Sequence, residues 1–219
     1  MTVQAGSRLG PYELLAPIGA GGMGEVWRGK DTRLDRSVAV KILPPAFAED
    51  EERRQRFERE AKAISSLNHP HICTLFDVGH EGDAHFLVME LLEGEVLADR
   101  LQKGPLPLDQ VVKLGAQVAE ALSAAHKQGI VHRDLKPGNV VLTKTGAKLL
   151  DFGLARVGSE GPPAVAFERT PPPAGAEPLT TRGTILGTVP YMAPEQLEGH
   201  PADARTDLWS LGVILHQVV

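Results

Sequence analysis

Between Tyr12 and about Val88 the apolar positions fall into short alternating runs, and glycines at Gly19, Gly21, Gly22, Gly24 and Gly29 punctuate the first pair. Period two is the mark of half-buried strands, so this stretch predicts a small sheet-rich lobe. In "SVAVK", residues 37 to 41, the alternation places Ala39 and Lys41 on one face and Val38 and Val40 on the other. One segment breaks the rhythm: "ERRQRFEREAKAISSLNHP" carries Phe57, Ala61, Ile64 and Leu67 at helical spacing, with Pro70 beyond its end. It predicts the lobe's single long helix. After "VMELLEGE" the period changes, and Val111, Leu114, Val118, Leu122 and Ala125 predict a helix from about Leu108 to Gln128, opening a mainly helical second lobe. "TDLWSLGVILHQVV" predicts another apolar helix, on Leu208, Leu211, Ile214, Leu215 and Val218. Residues 158–178, "GSEGPPAVAFERTPPPAGAEP", have neither period and read as a mobile loop.

The bulk numbers narrow the function classes. With 219 residues, 42% of them hydrophobic, the chain can bury a sizeable core. A formal net charge of -5 with interspersed signs offers no basic stripe for nucleic acid or an anionic membrane. Cys73 is the only cysteine, so no internal disulfide forms, and it reads as a small buried filler in a reducing compartment. No leader pattern follows Met1 and no apolar run is long enough to span a bilayer, so the expected location is cytoplasmic.

Candidate chemistry begins at "IGAGGMGEVWRG", which holds G-x-G-x-x-G at Gly19, Gly21 and Gly24. That spacing also fits a dinucleotide-binding turn, but such a turn opens a helix, and here "EVWRG" is β-prone and leads into "SVAVKIL". The flank favours a hairpin tip, whose glycines let amides approach phosphate oxygens, with an ordinary glycine-rich hairpin as the alternative. Val26 and Ala39 offer small apolar contacts to a planar ring, and Lys41 offers an ammonium to an anion. Glu60 falls on the inward stripe of its helix, three residues after Phe57, and a carboxylate there wants a cation. The expected partner is Lys41.

In "VHRDLKPGNVVL", residues 131–142, His132, Arg133, Asp134, Lys136 and Asn139 lie between an apolar helix and an apolar strand. Such a cluster needs partners or a ligand. "LLDFGLAR" brings a further carboxylate, Asp151, after Leu149 and Leu150. Taken in order, "GAGGMGEV", "VAVK", the inward Glu60, "HRDLKPGN", "DFG" and "APE" resemble the protein-kinase family, with bacterial serine/threonine kinases the nearest branch.

The resemblance implies an α+β, two-lobe fold: an antiparallel sheet plus one long helix in the N-lobe, and a mainly helical C-lobe lacking its last helices. Its divisions would be an N-terminal extension 1–11 and a kinase domain 12–219, with N-lobe about 12–89, hinge about 90–94 and C-lobe about 95–219. The activation segment would be 151–195, with the Pro-rich insertion 158–178 inside it. The implied chemistry is transfer of the ATP γ-phosphate to Ser/Thr hydroxyls of proteins, autophosphorylation included, in bacterial signalling. The implied cofactors are ATP and Mg²⁺, with Mn²⁺ as a substitute. Asn139 and Asp151 would hold the metal, Asp134 would take the hydroxyl proton, and Lys136 would steady the phosphoryl group. Lys41 with Glu60 would hold the phosphates under Gly19, Gly21 and Gly24. Ile18, Val26 and Ala39 would cover the adenine and Val141 or Leu142 would close it from below. Met89 would stand behind it as gatekeeper, with the backbone of Glu90 and Leu92 bonding the base and Glu95 reaching the ribose. His132 would pack on Phe152, Asp207 would tie its helix to the catalytic loop, and Glu195 would lack its usual arginine.

Thr188 would dock the acceptor, and Thr180, Thr181 and Thr184 are candidate regulatory phosphosites that a phosphate could pair with Arg133. Self-association for phosphorylation in trans, and a place as the cytoplasmic part of a longer membrane-anchored kinase, belong to the same expectation. The competing reading is a nucleotide-binding scaffold or an inactive fragment, and on it the 219-residue chain alone would be poorly soluble and nearly inactive.

Overall fold

The computed structural model describes residues 3–21, 24–44, 51–152 and 189–219. The 158–178 stretch, with Thr180, Thr181, Thr184 and Thr188, lies outside the described residues. In the first lobe, strands β1 (Arg8–Leu9), β2 (Tyr12–Gly21), β3 (Gly24–Asp31), β4 (Arg36–Ile42), β5 (Leu75–Glu81) and β6 (Ala84–Glu90) form an antiparallel sheet in the order β1-β2-β3-β4-β6-β5. The residues ahead of Tyr12 therefore contribute a strand, with Leu9 1% exposed.

The alternation in "SVAVK" is realised as expected. Val38 and Val40 join Leu14, Trp27, Phe86 and Val88 in one apolar cluster, while Ala39 and Lys41 face the other way. Across that second face lies α1 (Glu51–Ile64), which buries Phe57, Ala61 and Ile64 on the stripe read from the sequence. Glu51 and Glu52 in its first turn and Lys62 in its last suit the helix dipole. Gly24 opens β3 opposite Gly21 with φ +106°, and a Cβ there would lie 1.8 Å from the Ile42 carbonyl oxygen, so only glycine fits.

A three-stranded sheet, β7 (Gly94–Val96), β8 (Val140–Thr143) and β9 (Gly146–Leu149), opens the second lobe. With it come α2 (Leu97–Leu101), α3 (Leu108–His126), α4 (Pro194–Leu197) and α5 (Ala204–Val218). Helix α3 stops two residues before the expected Gln128, because Gly129 at φ +73° lets the Ile130 amide return to the Ala125 carbonyl. Helix α5 is capped by Asp203, which accepts from the Arg205 amide, and buries Leu211, Ile214 and Val218. Leu208, expected on the same apolar face, is 55% exposed because it lies at the edge of that stripe. One apolar cluster runs from Phe57 and Leu87 through Leu149 and Phe152 to Val118, Leu122 and Ile214, so the two lobes share a core. The architecture is the expected two-lobe α+β one. No helix among the described residues is long and apolar enough to cross a membrane.

Candidate active site

The loop 131–139, which carries His132, Arg133, Asp134 and Lys136, is held by Asp207 of α5. Its carboxylate is fully buried and accepts from the amides of His132 (2.8 Å) and Arg133 (2.9 Å), and it lies 2.7 Å from His126 Nε2 on α3. Two of these bonds fix the loop backbone, where Arg133 adopts φ +67°, and the third ties α3 to the same carboxylate. Asp151 adopts φ +53°. Non-glycine residues seldom occupy this region and do so mainly where the surroundings over-determine them.

Asp134 sits on that base. Its carboxylate takes Lys136 Nζ at 2.8 Å and Asn139 Nδ2 at 3.1 Å, while the same Nδ2 donates to the Asp134 carbonyl at 2.7 Å. The 3₁₀ turn Pro137–Asn139 brings Asn139 back onto Asp134, and the Leu150 amide bonds the Asn139 carbonyl. With its nitrogen committed to Asp134, the Asn139 side chain presents its oxygen as the remaining donor atom. Asp151 supplies a second hard oxygen set. Among the described residues no group of three or more His, Cys, Asp or Glu side chains could hold a metal. Two oxygen-bearing side chains without a full protein cage fit a divalent ion that completes its shell with phosphate and water.

The expected Lys41–Glu60 pair is corrected here. Lys41, 7% exposed, meets Asp151 Oδ2 at 2.6 Å, and Glu60 Oε1 instead faces the Arg133 guanidinium at 3.5 Å. Among the described residues Glu60 Oε2 is buried without a hydrogen-bond partner. Glu60 does point inward, but the cation it meets comes from the 131–139 loop rather than from β4. Glu195 is also partnered: it accepts from the Thr206 hydroxyl at 2.6 Å, and that bond lowers its pKa.

The residues expected around a nucleotide are distributed as follows. In register, Gly19 faces Val26, Val26 faces Lys41 and Ala39 faces Met89, which packs on the core. Ile18 is half exposed on β2, and Gly21 and Gly24 close the hairpin. Val141 is buried on β8 and Leu142 packs partly against the core, opposite Glu95 in register. Glu95 Oε1 is bound by Lys103 Nζ at 2.5 Å, a partner that the sequence reading did not name. Leu92 is partly buried just past β6. His69 and His71, two apart in sequence, have rings 5.6 Å apart, and His71 Nδ1 lies 2.8 Å from the Ala147 carbonyl. Cys73 is buried, and burial followed by the nearby Glu90 carboxylate pushes its thiol up to about 12.

Two site residues escaped the sequence reading. Gln196, buried just after "APE", donates through Nε2 to the Arg133 carbonyl at 2.8 Å and joins α4 to the loop that carries Arg133 and Asp134. His126 carries the bond to Asp207 described above.

His132 packs on Phe152 with ring centroids 4.6 Å apart, and its Nε2 lies 2.9 Å from the Leu150 carbonyl. Burial lowers its pKa, against the opposing charges of Asp207 and Asp134. Nδ1 is buried with no hydrogen-bond partner among the described residues, which suits a neutral ring protonated at Nε2. The folded pKa lies below the unfolded value of about 6.5, so this contribution to stability is whole above that pH. It is lost as pH falls from there towards the folded pKa, because only the unfolded chain gains the proton. Denaturant titrations at pH 7.5 and 5.5 should show this loss, and His132→Phe should reduce it; an undiminished slope in the variant would remove His132 as its source.

Comparison with known proteins gives a consistent result. A family model described as "Protein kinase domain" matches residues 12–219. The chain is 41% identical over 214 residues to the serine/threonine-protein kinase pkn2 of Myxococcus xanthus, covering 96% of this chain and 24% of that protein. It is 41% identical over 217 residues to the serine/threonine-protein kinase PknA of Mycobacterium tuberculosis, covering 96% and 47% respectively. The chain thus spans between about a quarter and a half of these relatives' lengths. A crystal structure of the Mycobacterium tuberculosis PknI kinase domain superposes with a TM-score of 0.76 at 28% identity, covering 99% of this chain and 77% of that one.

Proposed function

This chain belongs to the protein kinase family, and on that premise we propose that it is the catalytic part of a serine/threonine protein kinase that phosphorylates proteins, itself included. The observation that carries the reading is the convergence of Lys41, Asp134, Asn139 and Asp151. They come from β4, the catalytic loop and the segment after β9, yet Lys41 and Asp151 lie 2.6 Å apart, Asp134 and Asn139 share two hydrogen bonds, and the Leu150 amide beside Asp151 donates to the Asn139 carbonyl at 2.9 Å.

Phosphoryl transfer asks for position and charge neutralisation more than covalent help. Asp134 accepts the proton of the acceptor hydroxyl as its oxygen forms the new P–O bond and the bond from the γ-phosphorus to the β–γ bridging oxygen breaks. Lys136, bound to the same carboxylate, stands where charge on the moving phosphoryl group is balanced. Lys41 serves the phosphates. Asn139 and Asp151 would hold Mg²⁺, or Mn²⁺ in its place, which supplies charge neutralisation when bound. Glu90 and Leu92 receive the adenine, with Ile18, Val26, Ala39, Met89, Val141 and Leu142 around it and Glu95 towards the ribose. Thr188 docks the acceptor. The reducing-compartment composition supports a cytoplasmic setting, and phosphorylation in trans would require two copies to meet.

Arg133 is about a third exposed and holds Glu60 only at 3.5 Å, so its guanidinium can take a phosphate. A phosphate on Thr180, Thr181 or Thr184 adds about -1.5 to -2 charge for it to bind. Incubation with Mg²⁺ and labelled ATP, followed by mass-spectrometric mapping, tests function and regulation together. Label on serine or threonine is expected, including one or more of these three. Their joint replacement by alanine should lower turnover about tenfold, the effect of roughly one charge-assisted bond. A chain that incorporates no label with Mg²⁺ or Mn²⁺ and binds no ATP would defeat the proposal.

A further inference from the structure

One largely shielded ion pair lies outside the roles assigned so far. Lys148 stands on β9 between buried Ala147 and Leu149, so strand alternation turns it away from them, and its Nζ is 2.7 Å from both carboxylate oxygens of Glu90. The two side chains are only 14% and 29% exposed. Glu90 ends β6, where the first lobe passes into the second, and its other polar groups are also engaged. Its amide donates to the Thr74 carbonyl at 2.9 Å, its Oε2 accepts from the Thr74 amide at 3.3 Å, and its carbonyl lies 3.6 Å from the Cys73 thiol. The same 71–74 segment is laced to β9. The Cys73 amide donates to the Leu149 carbonyl at 2.8 Å, and the Leu149 amide to the His71 carbonyl at 2.9 Å. Glu90 is thereby clamped to a strand that reaches Asp151 only three residues after Lys148.

We propose that Lys148 is a positioning residue for the nucleotide base: through Glu90 it fixes the backbone that receives the adenine, in register with the Asp151 end of the site. This rests on the reading of Glu90 and Leu92 as the base-binding backbone. An ammonium this shielded from water offsets its lost hydration through the Glu90 carboxylate, and the pair holds the chain on both sides of it rigid. Lys148 need touch neither base nor phosphate for this. Removing it leaves Glu90 its Thr74 bonds but takes away the tie to β9, so the start of the hinge loosens while Lys41, Asn139 and Asp151 stay where they were.

The test separates base from phosphate. Affinities for adenosine, ADP and inorganic tripolyphosphate are measured on the wild-type chain and on Lys148→Met and Lys148→Arg, with thermal melting of each. Lys148→Met should weaken adenosine and ADP about tenfold, the effect of roughly one charge-assisted bond. Tripolyphosphate, which has no base, should change less than about twofold. Lys148→Arg keeps the cation and should restore most of the loss. Adenosine affinity unchanged in Lys148→Met would overturn the proposal, as would equal weakening of all three probes together with a lowered Tm, which marks a merely structural role. A wild-type chain that binds none of the three would overturn the kinase reading itself and this inference with it, a result distinct from either variant outcome.

Discussion

Asp134→Asn should lower the rate of phosphoryl transfer by roughly 10²- to 10⁴-fold, the range typical for loss of a positioned general base, while ATP affinity changes less than about threefold. The two effects separate because Asp134 does not hold Lys41, the cation assigned to the ATP phosphates. Its carboxylate binds Lys136 and Asn139, whereas Lys41 is held by Asp151. The shape of the loop should survive, since Asn139 Nδ2 still donates to the residue 134 carbonyl at 2.7 Å. An asparagine there cannot accept a proton at neutral pH, and one of its two terminal atoms becomes a donor facing donors. Single-turnover transfer to a protein acceptor, measured beside binding of a fluorescent ATP analogue, checks both halves. Turnover near the wild-type rate would take Asp134 out of the mechanism.

Asp207→Ala should be the most destabilising single change in the second lobe. Its carboxylate, fully buried, accepts from two backbone amides and lies within hydrogen-bond distance of His126. Alanine strands the amides of His132 and Arg133 without water to replace the lost acceptor. At about 1–3 kcal/mol for each buried unsatisfied donor, the loss should be about 3–5 kcal/mol. For a chain of this length that lowers Tm by about 10 °C. Arg133 is held at φ +67° and should relax towards an ordinary conformation once released, carrying Asp134 with it. Activity should therefore fall along with stability. Asp207→Asn keeps one acceptor oxygen and should lose roughly half as much. Chemical denaturation of both variants measures this; a Asp207→Ala chain within about 1 kcal/mol of wild type would show that the amides find other partners.

Much of this protein is written in local pattern. Alternation in residues 37–41 was enough to separate Val38 and Val40 from Ala39 and Lys41, and the structure buries the two valines in one cluster and turns Lys41 the other way, onto Asp151. The 3.6-residue stripe of α1 gave its buried face, and the order of the glycine hairpin, "VAVK", "HRDLKPGN" and "DFG" pointed to the family. These features were legible because each depends on neighbours a few residues away, whose relative directions are set by backbone geometry alone.

Partner choice was another matter. The inward direction of Glu60 was right and its cation was wrong: Lys41 meets Asp151, 110 positions later, and Glu60 meets Arg133. Asp207 finds the amides of His132 and Arg133 across 75 and 74 positions, Lys148 finds Glu90 across 58, and Gln196 finds the Arg133 carbonyl across 63. Leu208 shows the same limit on an apolar residue, since its place at the edge of the α5 stripe leaves it half exposed. By itself the sequence determined which side chains point inward and which chemistry they carry. Only the tertiary structure decided which of them meet, because a hydrogen bond is made or lost within about an ångström, and separations that fine depend on how whole helices and strands pack rather than on the period within any one of them.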